Sequence, residues 1–231
     1  METQMTRFML LQLNDSQFPI GGYSHSYGLE TYVQRGIVHD AKTAEEYIRR
    51  RLRYNVLYTD LLTVRLAYCL AQQQDGAGLD RLETLLEASR LPQEIRDGSR
   101  RLGRRFVKTL DKMEISWQNG FYLDFFSRRK SEPVCYPCAY GVACACAGLP
   151  ERDTLACFLY AQTAAMVTNS VKLIPLSQSD GQRMLSGMYP LFEELLQQVE
   201  TAGEEMLCAS TPAFDLRSMQ HETLYSRLYM S

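Results

Sequence analysis

Between Thr43 and Leu70 one helical face can be traced through Tyr47, Ile48, Leu52, Asn55, Tyr58, Leu62, Leu66, Cys69 and Leu70. A stripe this long cannot be left in water, so the rest of the chain must supply a surface that covers it. Thr43 followed by Glu46 reads as a capping box that opens the segment, and Asp75 to Gly78 reads as its end. Residue usage points the same way: Leu, Ala and Met number 31, 17 and 10, against 10 Val and 6 Ile. Straight-chain helix formers therefore outnumber the β-branched strand formers by more than three to one. The expected fold is all-α, a single-domain helical bundle within 231 residues that ends in an amphipathic C-terminal tail.

The remaining elements follow from local signals. Phe8 to Leu13 reads as a short helix stopped by Asn14, Asp15 and Ser16, and a loop with Pro19, Gly21 and Gly22 follows. Ser26 to Arg35 reads as another, with Gly36 as its C-cap. Leu79, Leu82, Leu85 and Leu86 mark a helix, and Pro92 suits the start of the next because a first-turn proline loses no helical hydrogen bond. Trp117 to Phe126 is aromatic and helical, with a break at Pro133. Pro137 to Gly148 and Asp153 to Val171 are small-residue-rich helices suited to close packing, ended by Pro175. Gln178 to Met188 and Pro190 to Val199 complete a body of residues 1–210. Thr211 to Ala213 separates off a tail of residues 211–231.

With 25 Lys and Arg against 27 Asp and Glu, the net charge of −2 gives no global field for nucleic acid or an anionic membrane. Seven irregularly spaced cysteines and an apolar run of only four residues near the start read as a cytoplasmic chain with reduced thiols. The uncharged stretch Thr154 to Val171 carries Gln162, Thr163, Thr168, Asn169 and Ser170, which suits a buried helix and not a membrane span.

Candidate chemistry is sparse. Cys135, Cys138, Cys144 and Cys146 contain half of a zinc-type spacing, but residues two apart on a helix point roughly 200° from each other and cannot converge on one ion. Small apolar fillers in a helix contact are the competing reading. Ser24 and His25 lie in a stretch resembling a nucleophile elbow, yet Ser26 replaces the needed glycine. No phosphate-binding or dinucleotide motif is present, and no cofactor is expected. A thiol or zinc hydrolase using Cys135, Cys138 and His25 remains an alternative. So does a helical scaffold that binds RNA through Arg96, Arg100, Arg101, Arg104, Arg105, Lys108 and Lys112. Against that basic helix stands the acidic stretch 180–210, and complementary patches suit protein contacts or self-association better than nucleic acid.

The last residues, HETLYSRLYMS, place His221, Leu224, Tyr225, Leu228 and Tyr229 at i, i+3, i+4, i+7 and i+8, one apolar helical face. A terminus this apolar must dock on its own body or enter a groove on another protein.

Four strings in order, LLQLNDSQFPIGGYSHSYGLE, AYGVACACAG, VTNSVKLIPLSQSDGQRML and QHETLYSRLYMS, carry a resemblance to the UreF family of urease accessory proteins that covers nearly the whole chain. The helix cysteines are not part of that family's pattern, so the resemblance lends zinc no support. It implies an all-α homodimer that is not an enzyme and acts as a chaperone of nickel insertion into urease. Its partners would be the accessory protein UreD or UreH, the GTPase UreG and apo-urease. The tail from Ser218, with Met219, His221, Leu224, Tyr225, Arg227, Leu228 and Tyr229, would engage UreD/UreH. The Pro19–Glu30 loop, with Tyr23, Ser24 and His25, and the segment from Lys172 through Gln178, Asp180, Gln182 and Arg183 would lie among the partner contacts, UreG included.

Overall fold

The computed structural model describes residues 2–129, 134–209 and 211–231, and the expected break at Pro133 lies outside them. Among the described residues every regular element is helical, and there is no strand. The helices are α1 (Glu2–Leu13), α2 (Leu29–Gln34), α3 (Ala41–Arg51), α4 (Leu62–Gln72), α5 (Gly76–Ser89), α6 (Gln93–Leu110), α7 (Phe121–Arg128), α8 (Tyr136–Cys146), α9 (Glu151–Leu173), α10 (Gln178–Gly187), α11 (Tyr189–Thr201) and α12 (Pro212–His221). No helix among them is long and apolar enough to cross a membrane.

The long amphipathic segment forms, with two differences from its expected shape. Its N-cap is Asp40, whose carboxylate accepts the Thr43 N–H at 2.8 Å while the Thr43 hydroxyl receives the Asp40 N–H. Thr43 is thus the inner member of the capping box, and the helix begins at Ala41. Between α3 and α4, residues Leu52–Leu61 wind as a π-helix without a break. An i→i+5 pattern holds more residues per turn, so the buried face slips along the sequence. Val56, Leu57, Leu61, Val64, Ala67, Tyr68 and Ala71 are buried, whereas Asn55, Tyr58, Leu66, Cys69 and Leu70 are half-exposed.

Helix α8 is buried along its entire length and forms the centre of the core. Its small residues let it approach α4 and α6 in preference to α9. At Gly141 any Cβ would run into the Val64 carbonyl oxygen of α4. Its three cysteines, Cys138, Cys144 and Cys146, and Cys135 at its N-cap sit in this interior as fillers. Helix α9 meets α8 through aromatic rings, with Tyr140 and Phe158 centroids 5.1 Å apart. Trp117 lies before α7 instead of within it, and its ring stacks on Tyr122 at 3.6 Å.

Helix α2 is shorter than expected. The amides of Ser26 and Tyr27, which would have entered its first turn, donate instead to the Ser231 carbonyl oxygen at 2.6 and 3.0 Å. It ends as foreseen at Gly36, whose φ of +68° permits the paired bonds Gly36 N–H to Val33 and Ile37 N–H to Tyr32. The acidic stretch is largely neutralised within the chain: Arg152 pairs with Glu193 and Glu200, Arg53 with Glu194, and Arg81 with Glu204.

Candidate functional site

The tail does not continue as a helix. Helix α12 stops at His221, and the following residues run in turns and bends across the loop between α1 and α2. The predicted stripe is consequently split: His221 and Tyr229 turn inward, Leu224 is half-buried, and Tyr225 and Leu228 face solvent, the first completely and the second at 67%. The reason lies in the partners available to the tail's backbone.

Glu30, on α2, is a buried carboxylate only 3% exposed. Its Oε1 accepts the Leu228 N–H at 2.7 Å, and its Oε2 accepts the Tyr229 N–H at 3.1 Å and faces His221 Nε2 at 3.1 Å. The other ring nitrogen, His221 Nδ1, lies 2.6 Å from Glu94 of α6, whose second oxygen accepts from Arg227 at 2.6 Å. Hydrogen bonds to ionised groups are about twice as strong as neutral ones, and here they hold backbone that a helix would have satisfied internally. Met230 N–H donates to the Ser24 carbonyl at 2.8 Å, and Gln34 donates to the Ser226 carbonyl at 2.9 Å. The tail is thus an added layer on the loop, stitched from Ser226 to Ser231.

Within the loop, Tyr23 is 70% exposed on a short 3-10 turn, and the Ser24 hydroxyl donates to the Gly21 carbonyl. His25, expected among the partner contacts, does not point outward. It is buried, with Nδ1 2.8 Å from the Ser231 hydroxyl, and its carbonyl accepts from Asn169 of α9 at 2.9 Å. Burial, reinforced by Arg101 and Arg105 and opposed by Glu94, lowers the His25 ring to about 4. An uncharged ring engaged with Ser231 is no partner for a nucleophile at Ser24.

The third predicted segment begins one turn beyond Asn169. Lys172 is exposed at the end of α9, and Ser177 and Asp180 form a reciprocal cap on α10. Hydrogen bonds from Ser177, with those of Arg183, bring Asp180 down to about 2. Gln178, Gln182 and Arg183 are exposed. Asn169 therefore joins the base of this segment to the loop, and the loop joins it to the tail. Met219 is exposed on α12, which packs against α2 and α6.

The hydrolase parts are not assembled. Burial raises the Cys135 thiol and raises the Cys138 thiol further, away from the reactive thiolate. Among the described residues no three His, Cys, Asp or Glu side chains are grouped to hold a metal ion. Glu30, Glu94, Asn169 and Ser231 are the site residues that sequence reasoning did not single out. Glu94 was legible as one of two acids on a mainly basic helix, whereas nothing in the sequence pairs Glu30 with a segment nearly two hundred residues away.

A family model described as UreF matches residues 38–189, which takes in most of the core and the Lys172–Arg183 segment. The likeness to curated relatives covers nearly the whole chain. The urease accessory protein UreF of Actinobacillus pleuropneumoniae serotype 3 is 38% identical over 225 residues, 96% of this chain and 97% of the relative. That of Haemophilus influenzae strain PittEE is 39% identical over 225 residues, 96% and 94% of the two chains. The UreF of Bacillus sp. strain TB-90 is 32% identical over 224 residues, 96% and 97%. Their shared name is that of an accessory protein and not of an enzyme. A core model spanning most of the chain and relatives matching it almost end to end place this protein in the UreF family of urease accessory proteins.

Proposed function

We propose that this chain works in urease maturation as a cytoplasmic homodimeric adaptor. On this reading its tail engages UreD/UreH, its Pro19–Glu30 loop and Lys172–Arg183 segment contribute to recruiting UreG, and the assembly passes nickel to apo-urease. The observation that carries the reading is the convergence of the three segments. Asn169 ties the base of one to His25 in the second, and Ser24, Ser26 and Glu30 tie the second to the tail. A partner touching the tail therefore bears on the loop without any further conformational link. Tyr23, Tyr225 and Leu228 are large side chains left in water beside backbone that is firmly held, which suits anchors for a partner.

The test is urease activation in cells that express the urease subunits and the other maturation proteins, with and without this chain. Activity that depends on the chain at limiting nickel, together with its co-purification with UreD/UreH and UreG, supports the reading. Full activity without it contradicts it.

A further inference from the structure

Helix α6 carries a row of exposed cations, of which Arg101 and Arg105 also act on His25. Arg101, Arg104, Arg105 and Lys108 are all exposed at i, i+3, i+4 and i+7, and thus share one face over about 10 Å of helix. None of the four forms an ion pair with a described residue, in contrast to Arg100 on the same helix, which is paired with Glu87 and Asp97. Arg105 reaches the Ile20 carbonyl, at 3.4 Å. Four like charges in one row repel each other, which favours an acidic group against them.

Beside this row, between α6 and α7, runs a groove of about 750 Å³. Arg104 and Lys108 stand at its edge, and Val107, Ile115, Leu123 and Phe126 line it. Leu123, 55% exposed, leaves part of the lining in water. Asp111 is the one acid among the described lining residues.

We propose that the outer face of α6 and the adjoining groove dock an acidic amphipathic helix of a partner protein. Its carboxylates meet Arg101, Arg104, Arg105 and Lys108, and its apolar edge lies in the groove. Charge complementarity selects an acidic partner. The groove selects a helix edge over a nucleic acid, because base stacking needs free aromatic faces and Trp117 is already stacked on Tyr122. An anionic bilayer would need apolar side chains projecting outward past the cations, whereas here they line a recess.

The test uses the full chain and a fluorescent synthetic helix of about four turns, with Leu and Phe along one edge and Glu opposite. The controls are a peptide of identical composition scrambled to remove the edge, a single-stranded RNA and phosphatidylglycerol vesicles. The amphipathic peptide is expected to bind, and its Kd to rise by about tenfold or more in Arg104→Glu/Lys108→Glu and separately in Leu123→Glu. Both variants change exposed residues, and unaltered thermal melts confirm that each is folded. Equal binding of the scrambled peptide, no binding of the amphipathic one, or tighter charge-dependent binding of RNA or vesicles overturns the proposal.

Discussion

The backbone amide of Leu228 is bound to the buried Glu30 carboxylate at 2.7 Å, while the Leu228 side chain stands 67% exposed. Backbone and side chain of one residue thus face opposite ways, the first fixing the tail to the body and the second leaving it available to something else. The two functions of the tail, holding and presenting, are separable by mutation.

Glu30→Gln should loosen the tail without unfolding the body. The amide side chain keeps the size of the carboxylate but gives up the charge that strengthens three contacts, each worth about 1.5–3 kcal/mol when fully made to an ionised group. Hydrogen exchange should become faster at the amides of Leu228 and Tyr229 while α4 and α8 remain protected. Unchanged exchange in the tail would show that Glu30 does not hold it.

Removing residues 222–231 should lower the melting temperature as well as remove the tail. The truncation strips Glu30 of two backbone donors and leaves the Ser26 and Tyr27 amides without Ser231. Each buried polar group stranded in this way costs about 1–3 kcal/mol. A calorimetric melt identical to that of the intact chain would contradict the packing described here.

His25 makes the fold sensitive to acid. Its ring titrates near 6.5 in the unfolded chain and at about 4 in the folded one, chiefly because burial disfavours the charged form. The unfolded chain therefore binds more protons between these values. Stability is fully present above about pH 6.5 and falls as the pH drops towards 4, by up to about 3 kcal/mol from this group. His25→Gln, which can still reach Ser231, should flatten that part of the pH–stability curve in urea titrations. An identical slope in the variant would assign the acid sensitivity elsewhere.

Gly141→Ala should be among the most damaging single-methyl changes, since the added carbon meets the Val64 carbonyl oxygen inside the α4–α8 contact. Overpacking of this kind costs about 1–3 kcal/mol. Thermal melts provide the measurement, and a neutral result would mean that the two helices can separate freely.

The helical class and most element positions were legible because periodicity and capping are local properties. Gly36 and Pro92 stand close to where their chemistry placed them. One misjudged point is local, the N-cap at Asp40 in place of Thr43, and the others depend on the packed chain. The buried face of the long helix slips because Leu52–Leu61 adopts a π-helix, which no local propensity announces. The tail's i, i+3, i+4 pattern is real in sequence but is outcompeted by Glu30 and Ser24, which take up its backbone N–H groups. His25 was expected among the partner contacts of its loop, yet Asn169 and Ser231 draw it inside. The candidate site was legible as three segments, but not as one surface.

The central claim is that the solvent-facing side chains of a firmly held tail engage UreD/UreH, and Tyr225→Ala/Leu228→Ala tests it most directly. Both residues are exposed, so the double variant should melt within about 0.5 kcal/mol of the intact chain. Interface anchors cost about 1–3 kcal/mol each when truncated, so pull-down titration with UreD/UreH should show an affinity loss of at least about tenfold, with urease activation falling in parallel. Undiminished binding by a fully folded double variant would contradict the account.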